Sequence, residues 1–96
     1  MHPVSKQTLK RFWEGHLAAE KPLREWLRVV RNTTWRRFAD VKAVYGSADQ
    51  VGEFVVFDIG GNKYRLTAKI EYAKGKVFVI FMDTHEEYDR RDLKSL

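Results

Sequence analysis

Residues 63–72, KYRLTAKIEY, constrain the fold more than any other stretch. Tyr64, Leu66, Ala68, Ile70 and Tyr72 alternate with Lys63, Arg65, Thr67, Lys69 and Glu71. Side chains alternate across a β-strand, so this segment is a strand with one apolar and one polar face. It is bracketed by GGN and AKG, which read as tight turns, and beyond them by FVVFDI and KVFVIFM, which read as strands. Two short connections in a row imply an antiparallel meander. KVFVIFM is apolar on both sides and is expected to be the central strand. The Gly pair in IGGNKY lacks the spacing of a phosphate loop and opens no helix. It reads instead as a hairpin turn with positive φ.

The first half has a different period. Leu9, Phe12, Trp13 and Leu17 fall at helical spacing, with Ser5 as the expected N-cap. Leu23, Trp26, Leu27 and Val30 form the apolar stripe of a second helix, and Pro22 suits its first turn. The next segment, TWRRFADVKAVYGSADQ, reads as a connector with one helical turn. MHPV at the start is expected as an edge strand, because Pro3 donates no ladder hydrogen bond. Helices that precede a sheet, instead of alternating with its strands, indicate an α+β domain with helices on one face. Ninety-six residues suffice for one such domain over 1–96. Trp13, Trp26 and Trp35 are expected in its core.

Charge then narrows the partners. The chain carries 18 Lys/Arg against 13 Asp/Glu, a net charge of +5, and no Cys. A basic balance favours a polyanionic or acidic partner, and the lack of Cys rules out disulfides and thiol chemistry. No apolar run reaches the roughly 18–20 residues that span a bilayer, and MHPVSKQTLK lacks a signal-like stretch. A cytoplasmic protein without membrane contact is therefore expected. The surplus sits in the first half: residues 1–52 hold ten cations and five acids, and residues 53–96 hold eight of each.

Three constellations could carry chemistry. The polar face of KYRLTAKIEY presents Lys63, Arg65 and Lys69 within about 20 Å, either as an anion site or as an ordinary solvated face. Lys21, Arg24, Arg28 and Arg31 lie on one side of the second helix, either as a binding stripe or as a solvated one. THEEYD, residues 84–89, begins with Thr84 and Glu87 at capping-box spacing, with Asp83 as an alternative cap. Its acids suit a helix N-terminus, so they need no catalytic purpose. A metal reading of His85 and Asp89 lacks further ligands at a recognisable spacing. His85 and Tyr88 are three apart and share a helix face. Cations beside a His and a Tyr suit metal-free RNA cleavage: the 2′-OH is deprotonated, the 5′-oxygen is protonated, and cations stabilise the phosphoryl charge. No metal or cofactor is called for.

FDIGGNKYRL, residues 57–66, together with THEEYD resembles the HigB-type toxins of bacterial toxin–antitoxin systems, within the wider RelE superfamily. The resemblance is strongest over residues 54–89. It implies a RelE-like microbial RNase fold, with two N-terminal helices packed on a small antiparallel sheet and a short C-terminal helix. It implies an mRNA interferase that acts on the ribosome and is held by an antitoxin with a helix-turn-helix domain, HigA-like. It assigns Arg65 to the scissile phosphate and His85 and Tyr88 to the active-site motif, with Lys63 and Lys69 near the substrate. The superfamily uses mainly Lys, Arg and Tyr where this chain offers a His, which leaves open whether His85 or Tyr88 moves the proton. A non-catalytic RNA- or ribosome-binding module, using the same cations with Arg24 and Arg28, is the alternative.

Overall fold

The computed structural model describes residues 1–92. The chain runs β1 (His2–Val4), α1 (Lys6–Gly15), α2 (Glu20–Arg31), α3 (Phe38–Val44), β2 (Asp49–Val51), β3 (Phe54–Ile59), β4 (Tyr64–Glu71), β5 (Lys76–Thr84) and α4 (His85–Arg90). The last four residues of the expected 1–96 domain lie outside the described residues. The strands form one sheet in the order β1-β5-β4-β3-β2. β2 to β5 are antiparallel neighbours, as the meander predicts. The expectation of a purely antiparallel sheet needs correction, because β1 joins the free edge of β5 in parallel. A sequence pattern marks an extended segment but not the direction in which it docks. β1 is an edge strand, as Pro3 requires, and β4 rather than β5 is the middle strand of five.

Gly60 and Gly61 take φ of 65° and 72°, the left-handed region where a Cβ is costly. They open a four-residue turn that also contains Asn62 and Lys63, since Ile59 pairs with Tyr64. Lys63 therefore sits in the turn and not on the strand face where the alternation placed it.

The apolar faces of β3, β4 and β5 pack under α1 and α2. Leu9, Leu23, Trp26 and Val30 are fully buried against Phe57, Leu66, Ala68 and Val77. Phe57 is boxed by Trp26, Trp35 and Tyr45 at centroid distances of 5.5, 6.2 and 5.4 Å. All three Trp are buried, as expected. Two helical expectations change. α1 stops at Gly15, and Leu17, in a 3₁₀ turn, is 77% exposed. The connector holds two turns of helix, α3, because Phe38, Val41 and Tyr45 recur at helical spacing against the core. Ser5 stands at the N-cap of α1 with φ 73°, but its side chain makes no capping bond. Among the described residues no helix is long and apolar enough to cross a membrane.

A bulge explains why KVFVIFM looks apolar on both sides. Thr67 pairs with Phe81 and Ala68 with Val79, so Ile80 is an extra residue. The side-chain parity of β5 flips there. Val77 and Val79 before it, and Met82 after it, all face the helices. Phe81 and Asp83 are turned to the opposite face. That face is not the plain solvated surface allowed for above: Phe54 and Val56 are buried there under Val51, Phe81 and Tyr88.

Candidate active site

The site forms where the second face of the sheet meets α4. Asp58, Arg65 and Asp83 lie in register across β3, β4 and β5. Arg65 is set between two carboxylates and its side chain is only 11% exposed. Its Nε donates toward Asp58 Oδ1 at 3.2 Å. Nη1 donates to the carbonyls of Tyr64 and Asn62 at 3.1 and 3.3 Å, and Nη2 to Asn62 Oδ1 at 2.6 Å. A guanidinium has five N–H donors, so one Nη2–H remains, on the side where His85 Nδ1 lies 3.5 Å away. The other carboxylate, Asp83, is buried and accepts from Arg91 Nε and Nη2 at 2.8 and 2.9 Å. This hydrogen bond raises the Arg91 pKa further above its ordinary value. The Arg91 guanidinium also lies 3.6 Å over the ring of Phe81, a cation–π contact. Asp83 is thus an anchor for the end of α4 and not its N-cap.

Thr84 is the cap, and the capping box forms as the spacing predicts. Glu87 N–H donates to Thr84 Oγ1 at 3.2 Å, and Thr84 N–H donates to Glu87 Oε1 at 2.8 Å. The backbone N–H of Thr84 is the main cause holding the Glu87 carboxyl below its usual range, with His16 and Arg91 adding to it. The short helix then presents two side chains. Tyr88 packs on Phe54, Val56 and Phe81. His85 turns to the β3–β4 turn, where Nδ1 is 3.2 Å from the Asn62 carbonyl, and Nε2 is 3.1 Å from Asp89 Oδ2. A carboxylate only accepts, so Nε2 is the donor to Asp89, whereas Nδ1 either donates to the Asn62 carbonyl or accepts from Arg65 Nη2, according to whether it carries a proton. His85 and Asp89, offered above as a metal pair, are here an i,i+4 hydrogen-bonded pair.

Arg65, His85 and Tyr88 are therefore brought together. Lys69 lies on the same face four residues along β4, 3.7 Å from Glu53 and 3.9 Å from Glu71. Lys63 joins from the turn. Arg24 and Arg28 are on the helix layer, paired within α2 to Glu20 and Glu25, and they border a groove that reaches Gly60. Asp58, Asn62 and Arg91 were not singled out from the sequence as site residues and Asp83 was read only as an alternative cap; nor was His16, whose ring lines a cleft together with Lys63 and His85. Only strand register and chain reversal bring them in.

A small α+β domain with helices on one face of a five-stranded sheet and a short C-terminal helix is consistent with the fold of the RelE-like toxins. The chain belongs to the HigB toxin family, described as the RelE-like toxic component of a toxin–antitoxin system, which it matches over residues 19–91. It is similar to the mRNA interferase HigB of Escherichia coli O6:H1 strain CFT073, with 25% identity covering 94% of this chain and 90% of that protein. It is also similar to the mRNA interferase toxin HigB of Escherichia coli K12, with 26% identity covering 93% and 88%. The mRNA interferase HigB of Shigella flexneri matches to the same extent. Membership implies a cognate antitoxin.

Proposed function

We propose that this toxin is a metal-independent endoribonuclease that cleaves mRNA on the ribosome and so inhibits translation in the cytoplasm. Its control would come from a helix-turn-helix antitoxin of the HigA type. The observation that carries this reading is the placement of Arg65 Nη2, 3.5 Å from His85 Nδ1. Attack of a 2′-oxygen on phosphorus builds negative charge on the phosphoryl oxygens, which a preorganised cation stabilises. Protonation of the departing 5′-oxygen needs an acid near neutral pH, and His85 Nε2 is the donor to the Asp89 carboxylate. In this reading Arg65 meets the phosphoryl oxygens, Lys63 and Lys69 hold the RNA backbone, and Tyr88 orients the substrate. Arg24 and Arg28 extend the RNA track. The relatives named as mRNA interferases support the endoribonuclease reading.

Primer extension on mRNA from cells expressing the chain tests it. Discrete new 5′ ends are expected, and Arg65→Ala or His85→Gln should reduce them by about 10²–10³-fold, the usual effect of losing one charge-stabilising or proton-transfer group. Growth arrest should be relieved while the variants still co-purify with the antitoxin. Slowed translation without cuts would instead identify a binding module.

A further inference from the structure

The cleft beside His85 contains a second imidazole. It is an open surface cleft of about 440 Å³ lined by His16, Lys63, Tyr64, Thr84, His85 and Glu86, within the roughly 300–1,000 Å³ range of small-ligand sites. His16 is 69 residues from His85 in sequence. It reaches the cleft because α1 ends at Gly15 and its C-cap residue turns out of the helix, with φ −139° and ψ 80°. The ring is fixed on two sides. It stacks on Phe12 with centroids 4.1 Å apart, and it meets Tyr64 edge-on at 6.0 Å. Its Nδ1 lies 3.1 Å from the Phe12 carbonyl. A carbonyl can only accept, so Nδ1 carries the proton and Nε2 keeps its lone pair in the neutral ring. No described residue hydrogen-bonds to that Nε2.

The two histidines are therefore unlike. His85 Nε2 lies on the exposed Asp89 carboxylate, which can only accept, and among the described residues no other hydrogen-bond partner holds that Nε2–H, so the proton can be given up. His16 has one nitrogen tied to the backbone and the other unpartnered. Transphosphorylation needs one group of each kind.

We propose that His16 is the general base of the RNA cleavage for which His85 is the acid, an inference that rests on the endoribonuclease reading. His16 Nε2 takes the proton of the 2′-OH, and the 2′-oxygen forms a bond to phosphorus. The bond from phosphorus to the 5′-oxygen breaks, and that oxygen takes the Nε2 proton of His85. The products are a 2′,3′-cyclic phosphate and a 5′-hydroxyl; His16 ends protonated and His85 neutral, and exchange with water restores both. Lys63, on the rim, faces the phosphoryl oxygens. The charged and titratable groups around the pair are Arg11 from α1, Lys63, Tyr64 and Arg65 from the turn and β4, and Glu86, Glu87 and Asp89 from α4.

The test uses the purified toxin with ribosome-bound mRNA in single turnover, on a normal linkage and on one whose 5′-oxygen is replaced by sulfur. Sulfur leaves without a proton, so only the base is still needed. On the normal linkage His16→Gln and His85→Gln should each slow cleavage by about 10²–10⁴-fold. On the sulfur linkage His85→Gln should recover to near the unsubstituted rate, and His16→Gln should not. Added imidazole should restore part of the rate to His16→Ala. Unchanged thermal melting and antitoxin binding guard against misfolding. A His16→Gln protein that cuts the normal linkage at full rate, or that sulfur rescues, overturns the assignment and leaves the endoribonuclease reading standing. Absence of cleavage by the unsubstituted toxin overturns both.

Discussion

Burial raises the pKa of the Tyr88 hydroxyl above its ordinary 10, and Asp49, Asp89 and Asp58 push the same way while Arg65 opposes them. The neutral hydroxyl therefore persists to higher pH than in a free tyrosine, which disfavours a phenolate base. This separates two residues that sequence spacing alone left equivalent: His85 is suited to moving protons, and Tyr88 to donating one hydrogen bond. Tyr88→Phe should lower the rate about tenfold, near the 1–1.5 kcal/mol of one hydrogen bond, and leave the shape of the pH–rate profile between pH 6 and 10 unchanged. Loss of an alkaline limb in Tyr88→Phe would assign the proton to Tyr88. At this scale the sequence was a partial guide. Arg65, His85 and Tyr88 could be named because each belongs to a local pattern, a strand alternation or a helix face. Asp58 and Asp83 could not, since they flank Arg65 only through the pairing of three strands. His16 lies in no pattern that points to His85.

α4 spans only His85–Arg90, too short to hold itself as a helix in water. Two fastenings replace length. The capping box fixes its start, and the Arg91 pair with buried Asp83 fixes its end, so His85 and Tyr88 are held between them. The box was legible because Thr84 and Glu87 form a local spacing. The Asp83 clamp was hidden by the bulge at Ile80, which turns Asp83 to the second face against the simple alternation of β5. Thr84→Ala should destabilise α4 by about 1 kcal/mol, a typical N-cap loss, read as faster amide exchange at residues 86–88. The same bond gives a pH signature. Glu87 has a folded-state pKa below the unfolded 4.5, so its contribution is complete above that value and fades as pH falls through the depressed one. α4 should therefore loosen first on acidification, and Glu87→Gln should flatten that acid dependence. An α4 that exchanges equally at pH 6 and pH 3 would show that the box does not hold it.

In the whole molecule, the surplus of cations and the Arg65 row are placed on different layers. The helices that cover one face of the sheet come from residues 6–44, within the half of the chain that carries ten cations and five acids. The Arg65 row and α4 occupy the other face and come from residues 53–96, a stretch of sequence with eight cations and eight acids. An RNA that reaches Arg65 gains further charge attraction if it also passes the helix layer, and the groove from Arg24 and Arg28 to Gly60 offers such a path beside the β3–β4 turn. Both arginines already pair with Glu20 and Glu25, but these are exposed pairs, which hold weakly and yield to a phosphate at little cost. If the strand follows this groove, each arginine releases counterions on binding. Arg24→Ala and Arg28→Ala should each weaken single-stranded RNA binding and reduce the slope of log affinity against log salt by about 0.7. The single-turnover rate at saturating RNA should stay unchanged, because neither side chain belongs to the Arg65 row. Titrations of a fluorescent oligonucleotide from 50 to 300 mM salt measure the slope. A slope equal to that of the unsubstituted toxin would remove Arg24 and Arg28 from the RNA track and leave Lys63 and Lys69 as its holders.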